Sequence, residues 1–259
     1  MLGISRPKPL YPDPYVDDGK VWCYYDITDI SASSKLLGSY PSLLIAAMEV
    51  DGQAVTPTQN YQFSTTGEHL VKYTVLNNII GSDMFRNIGT ILKRVYMPDT
   101  VTSIAQAAFY QNNGVSFIRF SVNIIEIKAN AVNGCNSLLV NDLSLPNLEI
   151  LKAASFSGTR VKKVSNLGLI TTLESDTFRN NSVLSDLILP ATLTTTSKAV
   201  FYQTSLKRVV CYATTPPSLG ALFFPSGLEY IKVPSASVAA YKVASGWSSY
   251  ASIIQAIPE

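Results

Sequence analysis

Seven bulky aliphatic residues, Leu92, Val115, Leu138, Val161, Leu184, Leu206 and Leu228, recur at intervals of 22 or 23 residues. A fixed period of that length marks a repeat array and leaves few other architectures open. Each unit begins with near alternation of apolar and polar side chains, as in Leu92-Lys93-Arg94-Val95-Tyr96-Met97. That pattern turns one face of a short strand inward. Pro98, Pro146, Pro190 and Pro234 then stop the strand and start a turn. A bulky anchor follows 17 residues after most starts, at Phe109, Val132, Phe178, Phe201 and Phe223, and 18 after at Phe156. One such unit cannot bury its own apolar face, whereas stacked copies share a continuous core. The spacing predicts a mainly β, right-handed solenoid over residues 70–234, one strand per unit, with an additional degenerate unit beginning at Leu70 ahead of the first regular unit at Leu92.

The two ends depart from the period. Residues 21–75 carry short aromatic and β-branched runs, such as Val21-Trp22-Cys23-Tyr24-Tyr25, with turn signals at Asp51-Gly52 and Thr66-Gly67. They read as a small β-sandwich-like domain that covers the N-terminal end of the solenoid. Residues 235–259 read as a C-terminal cap, with Ser235 suited to start a short helix, Gly246 to stop it, and Ile253-Ile254 to form a closing strand. A cap is needed because a bare strand edge invites pairing with other chains. Residues 1–20 hold Pro7, Pro9, Pro12 and Pro14 among Tyr and Asp, a spacing that prevents helix and favours an extended anchoring arm.

Composition narrows the function. Hydrophobic residues make up 47% of the chain and charged residues 15%, the balance of a packed core rather than of a disordered polymer. Twenty basic and 18 acidic residues leave a net charge of +2, too little to expect nucleic acid as a partner. The one histidine, His69, leaves little material for charge-relay catalysis or His-rich metal sites. Cys23, Cys135 and Cys211 are odd in number, far apart and without a CxxC, which reads as three core thiols. Glu174 and Asp176 stand two apart, but no calcium-loop pattern surrounds them. The Asn180-Asn181-Ser182 sequon is a pattern that chance supplies. No secretory signal follows Met1, and the longest uncharged apolar stretch, Leu36 to Met48, is too short to span a bilayer. The expectation is a non-enzymatic binding or scaffolding protein, with no cofactor, no metal, no nucleic acid and no membrane insertion.

Strand alternation also names a candidate ligand-binding face. Positions two and four after each start point away from the core. They supply Arg94, Tyr96, Phe117, Arg119, Lys163, Asp186, Arg208, Tyr230 and Lys232. Rings and guanidinium groups dominate binding hot spots, and the mildly basic balance favours an acidic glycan or an acidic protein as the target.

Leu92-Lys93-Arg94-Val95-Tyr96-Met97-Pro98-Asp99-Thr100-Val101-Thr102-Ser103-Ile104, followed by Ala107-Ala108-Phe109, resembles the BspA-type leucine-rich repeat. Gly134-Cys135-Asn136-Ser137-Leu138 is similar to that family's link between repeats. Ala213-Thr214-Thr215-Pro216-Pro217, Val233-Pro234, Tyr241-Lys242 and Trp247-Ser248-Ser249-Tyr250 are similar to the closing segment of such proteins from gut Bacteroidetes and their phages. The resemblance spans about residues 70–257 and implies a leucine-rich-repeat solenoid in a non-enzymatic surface or adhesive protein. It points to a phage or prophage virion structural protein, of head-decoration or fibre type, used in host or glycan attachment. The alternative is a bacterial cell-surface adhesin of the BspA-like type. The expected partners are other virion proteins through the N-terminal arm, a host surface protein or glycan through the repeats, and further copies of the chain. The expected location is the virion, or the bacterial cell surface in the alternative.

Overall fold

The structure is a computed structural model that describes residues 15–38 and 44–258. The arm prolines Pro7, Pro9, Pro12 and Pro14 lie outside the described residues.

The chain winds as a β-solenoid with two rows of parallel strands. The first row holds the alternating segments: Leu92–Tyr96 pairs with Phe117–Arg119, and Lys163–Asn166, Asp186–Leu189, Arg208–Cys211 and Tyr230–Val233 pair in succession. The second row consists of two-residue strands, Ile79–Ile80, Ser103–Ile104, Glu126–Ile127 and Ile150–Leu151 in one sheet, then Thr172–Leu173 with Thr195–Thr196. Each of these units thus contributes two strands where one was expected. The second is anchored by the buried residues Ile104, Ile127, Leu151, Leu173 and Thr196. The third unit interrupts the first row. Leu139–Val140 pairs with Arg160–Val161, and Leu143–Ser144 pairs with Lys163–Asn166 across an irregular register.

The anchors form a spine of rings. Phe85 stacks on Phe109 at 5.0 Å, Phe156 on Phe178 at 5.5 Å, and Phe178 on Phe201 at 5.6 Å, with interplanar angles of 13°, 14° and 7°. Left-handed residues flank the anchors from Phe85 to Phe201 two positions away, for example Ala107 and Gln111, Asp176 and Asn180, Ala199 and Gln203. They bend the backbone so that the anchor's N–H donates to the next unit, as Phe109 does to Ala131 at 2.7 Å and Phe178 to Val200 at 3.0 Å. In the last turn the left-handed residue is Leu222, and the Phe201 N–H donates to the Phe223 carbonyl. Phe224, rather than Phe223, is therefore the anchor. It lies 13° from parallel with Phe201, whereas Phe223 meets Phe201 edge-on at 76°.

Three residues after the anchors from Phe109 to Phe201 a polar side chain faces the core and takes up carbonyls that would otherwise be unpaired. Asn112 donates to the Phe85 and Phe109 carbonyls, and Asn181 to those of Phe156 and Phe178. Cys135, Thr159 and Thr204 serve the Phe109, Phe156 and Phe201 carbonyls in the same way.

The N-terminal unit is continuous with the solenoid. Gly67–Val75 runs in the direction of the repeat strands, but Val21–Ile27 is inserted antiparallel between it and Leu92–Tyr96. Ile45–Val50 and Gln53–Val55 extend the same sheet. Instead of closing on itself as a sandwich, this sheet packs its inner face on the solenoid core, where Tyr73 meets Phe85 edge-on at 5.6 Å. The second layer amounts to the short pair Ser34–Lys35 and Asn60–Tyr61.

The C-terminal end is closed by a 3-10 turn, the helix Val238–Val243, and the strand Ile254–Ala256, which pairs parallel with Tyr230–Val233. Ser235 does not cap the helix. Ser237 precedes it, and its hydroxyl donates to the Thr214 carbonyl at 2.7 Å. Tyr241 Oη donates to Ala213 O and Trp247 Nε1 to Pro217 O, each at 2.8 Å, which fastens the cap to the last turn.

Candidate binding face

The outward side of the first strand row brings the candidate residues into register. Phe117 lies beside Arg94 and Arg119 beside Tyr96. Further along, Lys163, Asp186, Arg208 and Tyr230 form one row, and Ile188, Val210 and Lys232 the next. The break at the third unit separates these into two regions of different character.

The first region is covered. Insertion of Val21–Ile27 places Trp22 opposite Tyr96 and Tyr24 opposite Arg94. Trp22, Tyr24 and Tyr96 are buried together, with Phe117 and Tyr15 packed against them. Tyr15 stacks on Tyr96 at 5.3 Å and meets Trp22 edge-on at 5.1 Å. The arginines serve this cluster. Arg94 lies over the Tyr24 ring at 4.3 Å and pairs with Glu68 at 2.5 Å. Arg119 lies over the Tyr15 ring at 4.9 Å, pairs with Asp99 at 3.1 Å and donates to the Met97 carbonyl at 2.6 Å. Asp18 accepts from Trp22 Nε1 at 2.8 Å and from Lys72 at 2.9 Å. Tyr96, read from the sequence as a ligand contact, is only 5% exposed. It is a packing residue, because the antiparallel strand puts a second aromatic layer over it. The alternation of Trp22 and Tyr24 against Val21, Cys23 and Tyr25 was the signal that this strand has an aromatic outer face.

The second region is open. Lys163, Asp186, Arg208, Tyr230 and Lys232 are each partly exposed. Arg208 clasps Asp186 with Nε at 2.5 Å and Nη2 at 2.7 Å, which holds the Asp186 carboxyl below its usual range. Lys163 pairs with Asp142 at 3.2 Å. Lys232 Nζ lies 4.8 Å from the centre of the Tyr230 ring. Two of the cations in this region thus carry an acidic partner within the chain, which weakens the sequence-based preference for an acidic ligand. What remains is a shallow surface of one ring, one lysine, and the half-buried apolar edge of Ile188 and Val210.

The remaining chemistry-bearing residues have structural employment. His69 is buried, with Nδ1 at 2.7 Å from Asp51 Oδ2, Nε2 at 3.0 Å from Thr65 O, and its ring against Phe63. All three cysteines are buried and free. Burial pushes each thiol up, to about 12 for Cys135, the reverse of what a reactive thiolate needs. Glu174 is bonded to Lys152 and to the Ala153 N–H, whereas Asp176 pairs with Arg179, so the two carboxylates are directed apart. Among the described residues no group of three or more His, Cys, Asp or Glu could hold a metal ion, and no helix is long and apolar enough to cross a membrane.

Residues 112–224 match the family model described as BspA type leucine-rich repeat region, in 6 copies. Among solved structures the chain is similar to a leucine-rich repeat protein from Bacteroides ovatus, at 16% identity and a TM-score of 0.29, over 85% of this chain and 71% of that one. Comparison with curated proteins finds no match.

Proposed function

We propose, from the match of residues 112–224 to the BspA-type leucine-rich repeat model, a non-enzymatic attachment protein that binds a host surface through its open sheet face. The repeat fold is typically a binding scaffold. The observation that carries the reading is the contrast along one sheet. Its first region is roofed by aromatic side chains, whereas on the second, among the described residues, Arg208 and Tyr230 stand uncovered in one row and Lys232 in the next. Rings and long cations on a rigid strand face present contact area at low entropic cost.

Substituting Arg208, Tyr230 and Lys232 together by Ala should abolish binding of the purified protein to host cells while leaving its circular dichroism unchanged. Full retention of binding would remove the face from consideration. Within the attachment class, our reading is a phage or prophage virion component of head-decoration or fibre type. The closing segment from Ala213 to Tyr250, similar to that of proteins from both gut Bacteroidetes and their phages, fits either source, and the proline spacing of Pro7, Pro9, Pro12 and Pro14, suited to an anchoring arm, is what favours the virion reading. Mass spectrometry of purified virions tests this directly. Recovery of the protein in the cell envelope fraction and not in particles would favour the adhesin.

A further inference from the structure

The turns that carry the anchor rings repeat one surface cluster twice. Asp83-Met84-Phe85-Arg86-Asn87, followed in the next unit by Ala108-Phe109-Tyr110-Gln111, returns four units later as Asp176-Thr177-Phe178-Arg179-Asn180, followed by Val200-Phe201-Tyr202-Gln203. The geometry returns with the sequence. Arg86 pairs with Asp83 at 2.9 Å and lies 5.0 Å over the Tyr110 ring. Arg179 pairs with Asp176 at 3.2 Å and lies 5.2 Å over the Tyr202 ring. In the first cluster the N–H groups of Asp83, Phe85 and Asn87 donate to Gln106, Ala108 and Tyr110. In the second, those of Asp176, Phe178 and Asn180 donate to Lys198, Val200 and Tyr202.

The fold does not require these side chains. The two units in between, anchored by Val132 and Phe156, make the same turns with Asn133 and Ser157 in the places of the arginine and tyrosine. Two residues beyond their anchors they carry Gly134 and Gly158 at positive φ, the unstrained solution for a left-handed position. The clusters instead hold Gln111 and Gln203 at φ 57° and 58°. A long side chain kept twice in a conformation that glycine adopts freely points to a role for the side chain.

We propose that the two clusters are equivalent subsites for a neutral saccharide, on a surface distinct from the sheet face. Each offers a partly exposed tyrosine ring for stacking, a carboxylate acceptor, a guanidinium donor, and an amide that both donates and accepts. Hydroxyl-rich ligands use this inventory. The Asp–Arg pair balances its own charge, so an anionic ligand would have to compete with the aspartate. At the ~4.8 Å spacing of adjacent strands, four units set the subsites about 19 Å apart. A single glycan chain or a branched surface could span that distance and gain avidity.

The test is a glycan array of neutral and sialylated oligosaccharides, followed by calorimetry with the best-bound neutral oligosaccharide. The wild-type chain is expected to bind neutral glycans at two sites. Tyr110→Ala or Tyr202→Ala should each reduce the stoichiometry to one, and the double variant to none. The pair Gln111→Gly and Gln203→Gly relieves the left-handed strain. It should raise Tm while weakening binding at least tenfold, a combination that a purely structural role would not produce. The triple sheet-face variant at Arg208, Tyr230 and Lys232 should bind the neutral oligosaccharide as wild type does, which separates this proposal from the sheet-face reading. An array with no neutral glycan bound, binding confined to sialylated glycans, or binding that survives the double tyrosine variant would each overturn it.

Discussion

The two regions of the outward sheet face are built from the same strand period and end in opposite states. In the first, Trp22, Tyr24 and Tyr96 lie under Tyr15, and the arginines are spent on the rings and on Glu68 and Asp99. In the second, the same strand positions carry Lys163, Asp186, Arg208 and Tyr230, with no second layer above them among the described residues. The difference comes from one event, the insertion of Val21–Ile27 into the sheet. A solenoid end that must be closed acquires an aromatic roof, while the interior repeats keep a solvated face. Position in a repeat therefore does not decide whether a side chain is covered or exposed. The neighbouring strand does.

The largest test of that contrast is a matched pair of truncations. Trp22→Ala should cost about 3–5 kcal/mol, as removal of a buried indole does, and it also frees Asp18 and Lys72 from their bond and ring contact. Tyr230→Ala should stay within about 0.5 kcal/mol, as for an exposed site. Chemical denaturation of both at pH 7 checks this. Equal costs would show that the second region is also a packed surface.

Beneath the face, the two regions should be alike. Asn112 and Asn181 both satisfy carbonyls of two successive units and accept a backbone N–H, from Ile88 and Val161. Asn112→Ala and Asn181→Ala should each cost about 2–3 kcal/mol, because each strands several buried polar groups. A gap of more than about 1.5 kcal/mol between them would mean that the ladder carries unequal weight along the rod.

The roof itself gives a smaller effect. Tyr15 is half-buried and contributes two ring pairs, so Tyr15→Ala should cost about 1 kcal/mol. The same change removes the ring from under Arg119, so chemical shift changes should be confined to residues near Tyr96 and Arg119. Perturbation that reaches Tyr230 would contradict the separation of the two regions.

The repeat core was legible in the sequence because period and apolar volume fix it: the starts from Leu92 to Leu206 and the anchors Phe109, Phe156, Phe178 and Phe201 are all buried. Phe223 was misread as an anchor because the sixth unit carries an extra residue, and two adjacent phenylalanines cannot be told apart by spacing. The left-handed Leu222 decides between them. Of the face, only the outward direction of the strand side chains was legible. Alternation gives the direction of a side chain but not what lies above it, and no pattern within residues 92–119 announces that residues 15–27 will cover them. Tyr15 and Asp18 fall in the stretch read as an anchoring arm. Asp17 accepts the Asp99 N–H at 2.8 Å, which ties that stretch to the first unit.

The smallest effect concerns the Asp186–Arg208 clasp, the best-formed ion pair of the open region. Hydrogen bonds from Arg208 hold the Asp186 carboxyl below its usual value of 3.8. A carboxyl depressed by folding adds stability that is fully present above the unfolded pKa and is lost as pH falls through the folded one. The window therefore lies below about pH 4, and neutral pH should show no titration from this group. Asp186→Asn should lower stability at pH 7 by less than about 1 kcal/mol, since the pair is solvent-exposed and screened. At pH 2 the variant and the wild type should converge, and 1 M salt at pH 7 should narrow the gap in the same way. Asp18 in the covered region is the comparison. Burial raises its carboxyl, but hydrogen bonds from Lys72, Trp22 and the Lys20 N–H outweigh that and lower it. Asp18→Asn should show the same sign with a larger loss at pH 7, because Asp18 also orients the buried Trp22. If Asp186→Asn differs from wild type by the same amount at pH 7 and pH 2, the clasp is not formed in solution, and Arg208 is free to meet a ligand unpaired.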